Sequence, residues 1–271
     1  MKKVSDILSF FLKELNGYYP EKEIKSLFYI SIDHLLGYSK SDTIIKSENE
    51  LLPDFKIEFS EIVERLQKKE PIQYILMETT FYGFPFFTRR GVLIPRPETE
   101  ELVDWIIKDN ENLEKRYLDI GTGSACIIIS LAKNLNGSFY AIDVSPDALR
   151  EAKQNVKRNN VDVNLEQFDI LDSDLDGLWD VIVSNPPYVL ESERKYMQQN
   201  VLAWEPEIAL FVRDETPLLF YERIADQSTK VLNKNGILYF EINEKYGKET
   251  VDMLAQKGFV NIELKKDIND K

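Results

Sequence analysis

One stretch limits this chain more than any other: Val181-Ile-Val-Ser184 runs straight into Asn185-Pro-Pro-Tyr188. The first four residues have the make-up of a buried strand. Proline has no backbone N–H to give a sheet, so two in a row cannot continue a central strand. The strand therefore ends at Ser184 and presents Asn185 at its carboxyl tip, which is where open α/β sheets bind ligands. Each proline also biases the residue before it toward extended backbone, so the loop is stiff. An amide side chain, free carbonyls and an aromatic ring then face one small space, which suits a planar NH2 group. A lone Asn-Pro-Pro can also be a plain turn, so its meaning depends on the rest of the chain.

From residue 116 onward, short β-branched and aromatic runs alternate with helical runs. Strands are expected at 116–120, 138–143, 163–168, 180–184 and 236–242. Helices carrying Ile127 to Leu131, Ala148 to Val156 and Leu218 to Val231 fall between them. Such alternation implies a mostly parallel sheet with right-handed crossovers. The first third of the chain differs. Val4, Ile7, Leu8, Phe11 and Leu15 recur at helical spacing, as do Ile24, Leu27, Phe28 and Leu35 up to Gly37. After Pro53, Phe55, Phe59, Ile62 and Leu66 repeat the pattern. Between the two regions, Thr79–Tyr82, Phe84–Thr88 and Val92–Pro95 read as a short hairpin bridging two domains. Arg96-Pro-Glu-Thr-Glu100 then leads into a helix begun by Thr99 or by Pro97-Glu98. The expected organisation is a helical bundle over 1–76, a hairpin linker over 77–97 and an α/β domain over 98–271.

Composition narrows the function. With 43% hydrophobic residues in 271, the chain can bury a sizeable core. A formal charge of −13 argues against gripping a phosphate backbone. The single cysteine excludes an internal disulfide, and the single histidine leaves little for a transition metal. Cys126 is expected in the core and His34 as a partly buried structural residue. No membrane-spanning run or secretory leader is visible, so a soluble, cytoplasmic protein is expected, with no metal and no membrane partner.

The second informative piece is Asp119-Ile-Gly-Thr-Gly123. Gly121 and Gly123 let a strand-to-helix turn pass close against a ligand. Asp143 ends the next expected strand, where an acidic side chain can accept hydrogen bonds from ribose hydroxyls. The third glycine of the dinucleotide fingerprint is missing, since Cys126 stands there, and no Lys-Ser/Thr pair marks a P-loop. A cofactor with adenosine but no pyrophosphate fits, and S-adenosylmethionine is the common one.

Gly121-Thr-Gly-Ser124, Asp143 and Asn185-Pro-Pro-Tyr188 together resemble the class I S-adenosylmethionine-dependent amino-methyltransferases, which have a Rossmann-like fold. Glu70-Pro-Ile-Gln-Tyr-Ile75, Phe81-Tyr-Gly83, Leu93-Ile-Pro-Arg-Pro-Glu-Thr-Glu100 and Trp204-Glu-Pro206 narrow the resemblance over nearly the whole chain. It is to the release-factor glutamine methyltransferases of the HemK/PrmC type. The resemblance implies that Asp119 and Gly121, Thr122, Gly123, Ser124 and Ala125 bind the methionine part, and that Asp143 holds the ribose. Asp169 and Ile170 would flank adenine. Asn185, Pro186, Pro187 and Tyr188 would hold the glutamine amide, with Asn185 also beside the cofactor. The products would be S-adenosylhomocysteine and an N5-methylated glutamine in the Gly-Gly-Gln loop of a peptide chain release factor. The N-terminal helices would bind that factor, and the enzyme would act as a monomer.

Some positions depart from the family. Met77 and Ala125 stand where it usually has glycine, and Ile170 where an aromatic is common. The family also continues past a segment like Lys265-Lys-Asp-Ile268 into a last antiparallel strand. Two other readings fit the same loop. A nucleic-acid adenine-N6 methyltransferase would need a basic surface and a device to extract the base. A non-catalytic adapter would need only the fold.

Overall fold

The computed structural model of this protein describes residues 1–268. The expected end of the α/β domain at residue 271 lies outside the described residues. The chain divides into two compact units, residues 1–77 with 199–204, and residues 78–198 with 205–268.

In the first unit, the helical periodicities become α1 (Val4–Glu14), α2 (Glu21–Leu36) and α4 (Pro53–Gln67), with α3 (Lys40–Ile45) and α5 (Ile72–Leu76) between and after. Phe11 is at the centre, its ring edge-on to Phe28 at 5.9 Å and to Phe59 at 6.2 Å. Edge-to-face pairs of this kind add roughly 0.5–1.5 kcal/mol to the area they bury. Gly37 ends α2 in the left-handed region, as its position predicts. α3 was not foreseen, because six residues are too few to show a period. It forms around a reciprocal cap: Asp42 N–H donates to Ser39 Oγ at 3.1 Å and Ser39 N–H to Asp42 Oδ2 at 3.2 Å. Arg65 ties α4 to α5, donating to Glu70 Oε2 at 2.7 Å and to the Ile75 carbonyl at 3.1 Å. His34 is exposed, not partly buried as expected. The buried stripe of α2 runs through Ile24, Leu27, Phe28, Ser31 and Ile32, and position 34 falls off that stripe.

The second unit begins with β1 (Glu78–Phe81) and β2 (Phe84–Phe87), an antiparallel pair. The connecting Tyr82-Gly83 has φ of 49° and 77°, the doubly positive turn that two-residue hairpins favour. Val92–Pro95 does not pair with them as the sequence suggested. Pro95 and Pro97 deny it a ladder, although Val92 and Ile94 are buried. One face of a helix holds the hairpin. α6 (Pro97–Asn110), β3 (Glu114–Ile120), α7 (Cys126–Asn134) and β4 (Asn136–Asp143) lead to that helix, α8 (Pro146–Asn159). Asn155 of α8 accepts from Phe87 N–H at 2.7 Å and donates to the Phe87 carbonyl at 3.2 Å, as a neighbouring strand would. One turn either side, Glu151 accepts from Arg89 N–H at 2.7 Å and Asn159 donates to the Pro85 carbonyl at 2.9 Å. α8 starts where Pro146 takes its first position and Ser145 Oγ accepts from Ala148 N–H at 3.3 Å. Such a cap contributes about 1 kcal/mol.

The remaining elements are β5 (Asn164–Gln167), β6 (Trp179–Ser184), β7 (Val189–Leu190), α9 (Gln199–Trp204), β8 (Phe211–Val212), α10 (Leu219–Val231), β9 (Leu232–Phe240) and α11 (Gly247–Gln256). The main sheet has the order β5-β4-β3-β6-β9, with every pair parallel. Both faces are covered. Tyr117, Val181 and Val183 pack with α6 and α7, while Leu118, Ile120 and Ile182 pack with α10. This is the class I S-adenosylmethionine-dependent methyltransferase fold, with the α-helical region preceding it. The winding reverses between β3 and β6, and at that switch point Ile120 lies opposite Ser184. Among the described residues the sheet ends at β9, and Lys265–Ile268 forms no strand.

Both departures from glycine sit in left-handed backbone: Met77 at φ 55° closing α5 and Ala125 at φ 63° opening α7. A side chain there costs roughly 1–2 kcal/mol, and glycine returns about 0.4–1 kcal/mol of that as unfolded-state freedom. Met77 is 55% exposed, so little packing is lost on truncation. Met77→Gly should therefore raise the stability of the whole chain by up to about 1 kcal/mol in urea titration. Ala125→Gly should gain less, because the methyl of Ala125 is fully buried. A Met77→Gly variant that unfolds at lower urea would contradict the strain argument.

Candidate active site

Because Ile120 and Ser184 are in register, the loops that follow them emerge side by side. Ser184 Oγ donates to the Ile120 carbonyl at 2.7 Å and pins the two tips together. The first loop turns through Gly121 at φ 72° and Gly123 at φ 56°. Gly121 and Thr122 N–H groups both donate to the Ile142 carbonyl, at 2.9 and 3.0 Å. Asp143 completes the turn: Oδ2 accepts from Gly123 N–H and Oδ1 from Ser145 N–H, each at 2.8 Å. Burial raises its carboxyl above the ordinary aspartate value, and these two N–H groups partly oppose that. Both oxygens keep further lone pairs for hydroxyl donors.

A cavity of about 240 Å³ opens over these loops. Gly121, Thr122, Gly123, Ser124, Asp143, Asp169, Ile170, Asn185, Pro186 and Pro187, ten of the positions singled out in the sequence, all line it. A Cβ built on Gly121 would meet no protein atom within 4 Å, so the backbone there borders open space. Val92, Phe168, Phe220 and Ile224 add an apolar wall that the sequence reading missed. Phe168 sits two residues before Ile170, so an aromatic borders the cavity although position 170 lacks one. Hydroxyl acceptors at Asp143, apolar rings and a bare glycine backbone fit an adenosine-bearing cofactor.

Three candidate residues lie outside that lining: Tyr188, which borders a smaller pocket described below, and Asp119 and Ala125. Asp119 is fully buried beneath the loop, where Thr122 Oγ1 donates to its Oδ2 at 2.6 Å and Oδ1 has no partner. Burial pushes its carboxyl up to about 7. Ala125 is fully buried as the cap of α7. Both support the loop from below and do not face the cavity. Cys126 borders the cavity, but burial pushes its thiol up to about 12, so it is no nucleophile.

Asn185 also lines a second, smaller pocket of about 40 Å³, with Leu93, Arg96, Tyr188, Val189, Ala209 and Leu210. A small network stands behind it. Asn185 Nδ2 donates to Thr99 Oγ1 at 3.2 Å, Thr99 Oγ1 to Glu241 Oε2 at 2.6 Å, and Tyr188 Oη to Glu241 Oε1 at 3.1 Å. Desolvation raises both the Glu241 carboxyl and the Tyr188 phenol above their ordinary values. The loop after Tyr188 is pinned as β7 beside β8, and Asn243 Nδ2 donates to the Tyr188 carbonyl at 3.0 Å. Arg96 forms a two-oxygen ion pair with buried Glu205, at 2.7 and 2.9 Å, and Ile94 N–H donates to the same carboxylate at 3.3 Å. The Ile-Pro-Arg-Pro-Glu-Thr-Glu and Trp-Glu-Pro motifs thus meet through Arg96 and Glu205.

Residues 8–76 match the family model PrmC N-terminal domain, and residues 99–206 match Methyltransferase small domain. Release factor glutamine methyltransferase of Flavobacterium psychrophilum is 47% identical over 269 residues, 96% of this chain and 94% of that protein. The chain belongs to the release factor glutamine methyltransferase family. The enzyme of that name from Bacteroides thetaiotaomicron is 43% identical over 268 residues, covering 98% of this chain and 96% of the relative. That of Streptococcus pneumoniae is 38% identical over 248 residues, covering 91% and 87%. Besides that apolar wall, Thr99 and Glu241 of the network behind Asn185 are residues to which the sequence reading gave no part in the candidate site. Thr99 stood in a quoted motif only as a candidate helix start. Glu241 is the one charged residue in the apolar run Ile237–Ile242, and that contrast was the available signal.

Two buried carboxyls are raised by burial into the neutral range, Asp119 to about 7 and Glu151 to about 8. The folded chain then holds protons that the unfolded chain has already lost above about 4. Stability contributed this way is complete at the acidic end of the window and falls as pH rises toward 8. The urea midpoint should be higher at pH 5.5 than at pH 8.5. Glu151→Gln, which keeps the acceptor for Arg89 N–H, should shrink that difference by raising the alkaline value. Equal slopes for both proteins would show that Glu151 does not titrate in this window.

Proposed function

We propose that this chain moves a methyl group from S-adenosylmethionine to the side-chain amide nitrogen of the glutamine in the Gly-Gly-Gln loop of peptide chain release factors. One observation carries the reading: Asn185 borders both the large cavity and the small pocket, so an amide held at Asn185 would face the cofactor. Asp143 would hold the ribose, the Gly121–Ser124 turn the methionine part, and Asp169 with Ile170 the adenine. When bound, S-adenosylmethionine supplies a methyl group made electrophilic by its sulfonium, and S-adenosylhomocysteine is what remains.

The chain's share is positioning. A carboxamide nitrogen is a weak nucleophile because its lone pair is delocalised into the carbonyl. Neither Glu241 nor Cys126 is assigned as a base: both oxygens of Glu241 are engaged by hydroxyls, and the Cys126 thiol stays neutral. The Asn185 Oδ1 and the Pro186 carbonyl would accept the two N–H bonds and fix the nitrogen, with Pro187 stiffening the loop and the Tyr188 ring walling the small pocket. Alignment of this kind supplies roughly 7–11 kcal/mol in favourable cases. As positive charge grows on nitrogen, both acceptors bind it more strongly than they bound the neutral amide. The proton then leaves to water.

Adenine would also present an NH2 group, but a charge of −13 supports a protein substrate over nucleic acid. The same reading takes the enzyme as a cytoplasmic monomer. Among the described residues, no helix is long and apolar enough to cross a membrane. We assign recognition of the factor to the helical unit, which exposes Ile44, Ile45, Leu52 and Ile57.

Asn185→Ala should lower kcat by roughly 100- to 1,000-fold, as for removal of one preorganised polar contact, with cofactor affinity little changed. A release factor with glutamate or asparagine in place of that glutamine should not be methylated. Mass spectrometry of the products decides: a methyl group elsewhere, or full turnover by Asn185→Ala, would end this reading. Separately, Ile45→Glu with Ile57→Glu should raise KM for the factor about tenfold, the equivalent of 1.4 kcal/mol, and leave kcat alone. An unchanged KM would remove the recognition role from that surface.

A further inference from the structure

Asn185 can act as an acceptor only if its amide is turned the right way, and the residues behind it decide that. A hydroxyl has one hydrogen. Thr99 places that hydrogen on Glu241 Oε2 at 2.6 Å, leaving Oγ1 only lone pairs for Asn185. Glu241 as a carboxylate is likewise acceptor-only, and its second oxygen is taken by the Tyr188 hydroxyl at 3.1 Å. Every group behind Asn185 therefore asks for a donor. The NH2 end of the amide answers, at 3.2 Å from Thr99 Oγ1. A flipped amide would set its oxygen against the Thr99 lone pairs and the carboxylate.

We propose that Thr99 and Glu241 are positioning residues that lock the Asn185 amide with its oxygen outward, so that the small pocket accepts a primary amide and refuses a carboxylate. Thr99 comes from the first turn of α6, Asn185 from the tip of β6, and Glu241 from the end of β9. Three separate elements thus converge to set one dihedral angle. The polarity runs from Glu241 through Thr99 to Asn185 without a break. This inference rests on the methyl-transfer reading above and names what enforces its choice of substrate.

The experiment uses the full chain, an intact release factor and its Gln→Glu variant. Binding of both factors is measured in the presence of S-adenosylhomocysteine, beside kcat with S-adenosylmethionine. Thr99→Val keeps the shape and removes the hydroxyl. Glu241→Gln gives the network a donor that lets Thr99 turn its hydrogen toward Asn185. Each should lower kcat by roughly 10- to 100-fold, the loss expected for a hydrogen bond tied to a charged group. Each should also bring the affinities for the glutamine and glutamate factors closer by about tenfold, because a flipped amide offers donors to a carboxylate. Cofactor affinity should stay within about twofold, and Thr99→Ser should behave like the parent. A kcat and a binding ratio both unchanged in Glu241→Gln would overturn the proposal. So would equal losses of affinity for both factors and the cofactor, which is what a structural role gives. If Thr99→Val does not fold, Glu241→Gln and Thr99→Ser still decide it. A parent enzyme that methylates no release factor would instead overturn the functional reading.

Discussion

The site depends on one strand pairing. β3 and β6 are neighbours although four elements separate them in the chain, and their last partners are Ile120 and Ser184. Parallel register makes both strands stop at the same height, and the Ser184 hydroxyl closes the gap by bonding the Ile120 carbonyl. The glycine turn and the proline loop therefore rise from one line and face a common cavity. A register slip of one residue would turn every side chain of β6 to the opposite face. Since both faces of that strand are buried, the slip would set Ile182 into the α6–α7 side and disturb two cores at once.

Around that line the chain uses buried polar groups where a simpler protein would use apolar ones. Asn155 stands in for a strand beside Phe87, and Glu205 holds both the Arg96 guanidinium and the Ile94 N–H. Such groups give little net stability, but leaving one partner unpaired is costly. Their effect is geometric. They hold the 84–99 segment, which carries Val92, Leu93, Arg96 and Thr99, where the cavity and small pocket need walls.

What could be read from the sequence was whatever is local. Apolar periodicity marked α1, α2 and α4, and glycine and proline marked where β3 and β6 must end. The loops at those ends then carried their own chemistry: Gly121 and Gly123 through backbone freedom, Asn185 through its amide. What could not be read depends on partners distant in sequence. Val92–Pro95 has strand composition, but Pro95 and Pro97 keep it out of any sheet, and composition alone did not weigh them. The resemblance gave Asp119 and Ala125 to the cofactor together with the glycines beside them, yet one is beneath the turn and the other caps a helix. Glu241 showed no role by itself, since its meaning lies in Thr99, 142 residues away.

The division of the chain has a consequence for how such proteins can be recombined. Residues 199–204 count with the first unit although residues on both sides of them count with the second. The polypeptide thus passes between units after residues 77, 198 and 204. A single cut near residue 77 leaves the short α9 segment behind in the catalytic half, with its own unit removed. Grafting a different helical unit onto this fold would require two exchanged segments, one at the amino end and one in the middle of the gene. Insertion or shuffling at one site cannot deliver both, so the helical unit and the catalytic unit are expected to be inherited together.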